Sequence, residues 1–349
     1  MHNACALFFC RSDIASRQKR DTPTTMSSTP QNNATLGILF LLGAVFCISI
    51  NDMLIKQLSG GYPLHEMVFA RSFIAILFSS IFVHLEGGWR ILRTNRPILH
   101  VMRGLLIVTA NMTFFVALAV IPLADATALF FAAPLFITLL SIPILGEKVG
   151  MMRLGAVLFG FVGVIIMQRP WEGAETLEAS RLILLLPVIA ALTYALNQIL
   201  TRKLGVQSKA SALAIYIQGT FILVSLGFFL VAGDGRYAET SSDPSIQFLL
   251  RAWIWPATSD YWLFGLLGLN AAIVGYGLSQ AYRMADAATV APFEYIGLPL
   301  AVFWGWLIFS ELPVLEVWIG IAMILASGIF VFIREAQKKR THLSIKMKV

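Results

Sequence analysis

Charged side chains are scarce in this chain. Only 13% of its 349 residues are Asp, Glu, Lys or Arg, whereas 58% are hydrophobic; a soluble domain carries about 25% charged residues. A water-soluble fold of this size could not hide so much apolar side chain, so the expected solvent is a lipid bilayer. Cysteine is sparse too. Cys5 and Cys10 lie in a tail and Cys47 in an apolar run, a set with neither a disulfide framework nor metal-ligand spacing. The histidines (His2, His65, His84, His100 and His342) pair with no nucleophile. There is no G-x-x-x-x-G-K-[ST] loop, no H-E-x-x-H and no G-x-S-x-G elbow. An enzyme and an ATP-driven pump are therefore not expected, and no catalytic residue, metal or cofactor is assigned. The formal net charge of +7 comes from short loops and tails, which argues against a nucleic-acid partner.

The N-terminal segment 1–35 is short of apolar residues. CALFFC lacks the length and flanks of a signal peptide, and 16–35 is rich in Ser, Thr, Pro, Asn and Gln, the composition of a disordered cytoplasmic tail. Met26 opens MSSTPQNNATLG, and translation is expected to start there.

What the chain has in plenty is apolar runs long enough to cross about 30 Å of hydrocarbon. Ten are read, at 36–57, 64–84, 98–120, 123–145, 151–168, 181–201, 210–231, 261–282, 287–309 and 313–333. The stretch DPSIQFLLRAWIWP, in the connection 232–260, reads as a short helix lying in the interface or as an ordinary ordered loop. With the N-terminus inside, most of the 26 Lys and Arg fall in cytoplasmic segments: Arg90, Arg93 and Arg96, Lys148 and Arg153, Arg202, Lys203 and Lys209, and the basic tail 335–349. The outside segments hold Lys56, Arg169, Arg181, Arg236 and Arg251. Both termini are thus expected in the cytoplasm, across a bacterial inner membrane.

A short phrase recurs. ADAT stands at 124–127 and ADAAT at 285–289, and each precedes a glutamate past the end of the next apolar run, Glu147 and Glu311. Asp125 aligns with Asp286, and further on, with small insertions between, Gly155 and Gly163 pair with Gly320 and Gly328, eight apart in both copies. INDMLIKQL (50–58) pairs with LNQILTRKL (196–204), setting Asn51 on Asn197 and Lys56 on Arg202. The expected fold is therefore all-α and integral to the membrane, ten transmembrane helices in two five-helix inverted-topology repeats, 36–168 and 181–334, joined by an external linker at 169–180. Because five is odd, the second copy enters from the opposite side, an arrangement suited to alternating access.

Two five-helix halves, each with a proline-containing helix leading to a glutamate (Pro134 to Glu147, Pro299 to Glu311), resemble the drug/metabolite transporter superfamily, EamA type. PLFITLLSIPILGEKVGMMRLGAVLFGFVGVIIM (134–167) carries the resemblance most clearly; in the second copy Ser310 replaces the glycine before the glutamate. The resemblance covers residues 36–335. It implies a carrier, monomeric or homodimeric, with a central site near the midplane contributed by spans 1, 3, 4, 6, 8 and 9.

Ionisable groups inside spans are functional candidates by default. Arg71 is expected either to pair with Asp52 or to meet a substrate anion. Asp125 and Asp286 open spans 4 and 9, where a carboxylate complements the helix dipole and caps free N–H groups. Glu147 and Glu311 read as caps or gate anchors. Glu294, in APFEYIGLP between Pro292 and Pro299, is a candidate for a coupled proton or a polar substrate, or a protonated glutamate bonded to a neighbouring helix. Neutral polar groups join them: Asn51, Asn111, Asn197 and Asn270, with Tyr295 among the aromatics beside the proline helices. Such an aromatic, weakly charged lining suits a small-molecule substrate that is a flat ring with hydroxyls. Import of a vitamin such as riboflavin is the expected activity, and export of amino acids, related metabolites or drugs the alternative.

Overall fold

A chain inside a bilayer must bond its peptide groups to one another, because the hydrocarbon offers them nothing. The computed structural model describes residues 34–94, 96–146, 150–169, 171, 181–204, 210–239, 241–284 and 291–346, and among these the chain is helical without a strand. Met26, Cys5, Cys10, Glu147, Asp286, the second ADA phrase and residues 172–180 lie outside them, as do the side chains of Arg153, Arg202 and Arg283.

The helices are α1 (Ala34–Leu58), α2 (Leu64–Glu86), α3 (Pro97–Leu118), α4 (Leu123–Phe130), α5 (Ala133–Leu145), α6 (Met151–Met167), α7 (Arg181–Leu204), α8 (Ala210–Ala232), α9 (Arg236–Glu239), α10 (Pro244–Leu250), α11 (Tyr261–Met284), α12 (Gly297–Phe309) and α13 (Leu315–Lys346). Among the described residues seven helical segments are long and apolar enough to cross a membrane, Leu123–Ile144 counting as one across the α4–α5 break. Three shorter apolar helices accompany them, Leu154–Met167, Phe293–Phe309 and Leu315–Phe330. The protein is an all-helical, multi-pass membrane protein.

Three boundaries differ from the sequence reading. Span 4 is interrupted at Phe131–Ala132, and the first described residues of span 9 form a 3-10 segment, Ala291–Ile296. The last helix does not stop at 333 but continues to Lys346, because its basic residues are good helix formers with no proline or glycine to end it.

Helix packing follows the small residues. α6 lies on α13, and a Cβ on Gly163 would come within 3.1 Å of the Gly320 carbonyl oxygen. Ser327 Oγ donates to the Ala156 carbonyl at 2.6 Å across the same seam. α1 packs on α11, α3 on α7, α2 on both α8 and α11, α5 on α7, and α12 on α1 and α4. Without a hydrophobic force between helices in lipid, such close backbone approach supplies the attraction. The outward faces stay apolar, as Leu39, Ile81, Leu223 and Leu230 show.

The connection after α8 folds back onto the α1–α2 turn. Asp243 caps α10, its Oδ1 accepting from Ser245 N at 2.8 Å. The Tyr62 hydroxyl donates to Asp260 Oδ2 at 2.6 Å and accepts from Ala257 N at 2.9 Å. Bonded to that carboxylate, the hydroxyl is held above the usual phenol range. Arg251 donates to the Gly60 carbonyl at 2.8 Å, and Glu66 Oε2 accepts from Ile254 N at 3.2 Å. DPSIQFLLRAWIWP therefore contains a short helix, and its far end forms a clasp over the α1–α2 turn.

The helix ends explain the Ser310 departure. α5 stops at Gly146, left-handed at φ +69°, and α12 stops at Ser310, left-handed at φ +55°. Both use the same C-terminal turn, which glycine adopts freely and an L-residue adopts at a cost of about 1 kcal/mol. Ser310→Gly is expected to stabilise the detergent-solubilised protein by about that amount, read as a rise in melting temperature against wild type.

Candidate functional site

Two proline-broken helices meet at the centre. Pro134 has no N–H to give the Phe130 carbonyl, and Pro299 none to give that of Tyr295, so each helix is interrupted one turn before its proline. The breaks touch. The Phe131 and Tyr295 rings lie 5.3 Å apart, and a Cβ on Gly297 would come within 3.3 Å of Phe131. Tyr295 in turn rests against Gly328 of α13, where any side chain would collide with its hydroxyl. Phe130 stacks edgewise between Phe114 of α3 and Tyr194 of α7, at 5.4 and 5.3 Å. Gln198 Nε2 donates to the Tyr194 hydroxyl at 2.8 Å. Glu294, half-buried in the 3-10 segment, acts electrostatically on both Tyr194 and Tyr295. Of the aromatics beside the prolines, Trp306 turns away and is 55% exposed.

A second polar group occupies the space where α1, α2, α3 and α8 converge. Arg71 of α2 is 5% exposed, and its guanidinium lies 5.6 Å from the Phe115 ring centre and 5.1 Å from that of Phe221. Asp52 of α1, half-buried, interacts with it electrostatically, but the two form no ion pair. Asn51 is within hydrogen-bond reach of Asp52. The Arg71 Nε and the Asn51 Oδ1 are buried with no hydrogen-bond partner. Asn197 and Asn270 are buried on α7 and α11, and the Asn270 Nδ2 is without a hydrogen-bond partner. Asn111, half-buried, donates to the Ile107 carbonyl one turn back at 3.1 Å. The predicted residues thus fall into an Arg71–Asp52–Asn51 group and a Glu294–Tyr295 group, while Asn111 is engaged by its own helix.

In a third arrangement Glu311 acts as the cap expected of it, with a partner, Lys56, that sequence reasoning missed. Lys56 Nζ pairs with Glu311 Oε1 at 2.9 Å and donates to the Ile121 carbonyl at 2.8 Å. Glu311 Oε2 accepts from Leu123 N at 3.3 Å. One N–H at the start of α4 is thus bonded in trans by Glu311, while Asp125 lies in the first turn of α4, as expected, and faces Arg169 at 4.0 Å. The clamp ties the end of α1, the start of α4 and the end of α12 together. The signal was present, since a cation (Lys56, Arg202) and a glutamate (Glu311, Glu147) recur at aligned places, with each glutamate aligned to the other half. A groove of about 310 Å³ between α1, α2 and α11 holds none of these residues; Leu36, Leu39, Phe40, Phe82 and Tyr276 line it, an apolar seam.

Residues 35–169 match the EamA-like transporter family. The chain is 30% identical to the riboflavin transporter of Vibrio cholerae, over 88% of this chain and 97% of that one. It belongs to the EamA-like transporter family. It is also 29% identical to the riboflavin transporter of Rhizobium johnstonii, over 92% of this chain and 99% of the relative. An S-adenosylmethionine uptake transporter of Rickettsia prowazekii is 27% identical over 86% and 93%. EamA-type membership makes this chain a transporter.

The clamp is testable by itself. Lys56→Met strands the Glu311 carboxylate and is expected to destabilise the protein by about 1 kcal/mol or more, part of which Glu311→Gln restores in the double variant. Unfolding in detergent of both single variants and the double variant checks this; strictly additive losses would refute it.

Proposed function

We propose that this protein is a secondary transporter that imports a small organic metabolite across the bacterial inner membrane by alternating access, with a vitamin such as riboflavin as the substrate. The observation that carries the reading is the contact between the two proline breaks, Phe131 against Tyr295. In a membrane, interrupted backbone is tolerated only where protein or a cavity surrounds it, and transporters place their substrate sites at such breaks.

The packing pattern supports two related halves. If α1–α6 correspond to α7–α13, then α1 on α11 exchanges with α7 on α3, α2 on α11 with α8 on α3, and α12 on α1 with α5 on α7. The pairs α2 on α8 and α6 on α13 map onto themselves. The seven long and three shorter apolar helices fall at the ten expected spans. With both termini in the cytoplasm, the Lys56–Glu311 clamp lies on the external side and closes it. Riboflavin is favoured by the relatives that bear its name and by the aromatic, sparsely charged centre. On this reading Glu294 is the group that takes up a coupled proton.

Expression in a bacterium that neither makes nor imports riboflavin tests this. With the protein confirmed in the inner membrane, growth is expected at external riboflavin too low for the empty-vector control. Uptake should rise as external pH falls, and Glu294→Gln should flatten that dependence. No rescue with the protein present would remove the riboflavin reading and bring export of amino acids or related metabolites forward.

A further inference from the structure

We infer that Arg71, Asp52 and Asn51 form a subsite for the imide edge of a planar heterocycle, the C=O, N–H, C=O edge of a pyrimidinedione ring. The inference rests on the import reading above and deepens it by assigning atoms to the substrate.

A guanidinium carries its N–H donors in a planar fork suited to paired acceptors. Arg71 is 5% exposed, yet its Nε meets no acceptor and no ion pair holds it. Asn51, 7% exposed, likewise has its Oδ1 unpartnered. Buried polar groups left unsatisfied are strongly unfavourable, and a fold retains them where a ligand completes them. The missing partner must accept from Arg71 and offer a donor to the Asp52 carboxyl, which acts electrostatically on the guanidinium without forming an ion pair. An imide edge does both: a ring carbonyl takes the guanidinium N–H groups, and the ring N–H goes to the Asp52 carboxylate or to Asn51 Oδ1. The Phe115 and Phe221 rings, themselves buried, lie against the guanidinium and hold it in place for a ligand. A zwitterionic amino-acid head could also bridge Arg71 and Asp52, but it has no use for the neutral acceptor of Asn51. The flavin ring carries such an imide, with its N–H at position 3.

The test uses one change to the ligand and one to the protein. Uptake of labelled riboflavin by cells expressing the full chain is measured in competition with unlabelled riboflavin and 3-methylriboflavin, in which that N–H is blocked. For wild type, 3-methylriboflavin should compete at least about tenfold more weakly, as expected when a buried acceptor loses its donor. In Asp52→Ala, compared at equal membrane abundance, this discrimination should collapse. No riboflavin uptake by wild type overturns the import reading and this inference with it. Uptake with equal competition by both flavins overturns the inference alone and needs no variant to fold. Undiminished discrimination in Asp52→Ala overturns the assignment to Asp52. Competition by S-adenosylmethionine in place of the flavins would give the subsite to a zwitterion and also overturn it.

Discussion

Everything in this fold depends on the requirement that backbone polar groups in hydrocarbon be satisfied by the protein itself. Uninterrupted helices meet it at α1, α2, α3 and α8. Pro134 and Pro299 violate it locally, and the molecule places the two violations against each other, Phe131 on Tyr295, behind walls built by α3, α7 and α13. Gly297 and Gly328 exist at these places because ring and backbone must come close. The centre of the protein is where continuous helix was given up, which is where a substrate can find polar groups.

The charges obey the same logic at higher stakes. Lys56 and Glu311 neutralise each other and also take up the Ile121 carbonyl and the Leu123 N–H, so one ion pair completes the backbone at two helix ends. Its partners come from α1, the start of α4 and the end of α12, which makes it a fastening that can be made or broken as a unit. Arg71 and Asp52 are different: they act on each other electrostatically without forming an ion pair. A satisfied pair is suited to holding a conformation, and an unsatisfied one to receiving a ligand.

Much of this was legible in the residues. Apolar runs separated by short polar links gave the helices, because bilayer thickness sets a minimum length that few other segments reach. The two proline-to-glutamate stretches, Pro134 to Glu147 and Pro299 to Glu311, gave the family resemblance, and Arg71 with Asp52 could be read from the rarity of charge within spans. Other features were hidden. Lys56 read as a loop cation because its partner lies 255 residues further on, and contacts between halves leave no local pattern. Span 4 read as one apolar run with Pro134 inside it, because run length alone does not show whether such a proline kinks a helix or divides it; the division falls at Phe131–Ala132. Asp125 lies in the first turn of α4 as expected, but the added bond from Glu311 to Leu123 N comes from far along the chain and left no local signal.

The account stands or falls on the two halves entering the membrane from opposite sides. Gly150 and Val314, each exposed, lie three residues beyond Glu147 and Glu311 and are equivalent positions if the two halves are the proposed repeats. Each would be replaced singly by cysteine in a chain lacking Cys5, Cys10 and Cys47, and intact cells treated with a membrane-impermeant maleimide. The account predicts labelling of Val314→Cys from outside, and of Gly150→Cys only after the inner membrane is permeabilised. Labelling of both from the same side would contradict it.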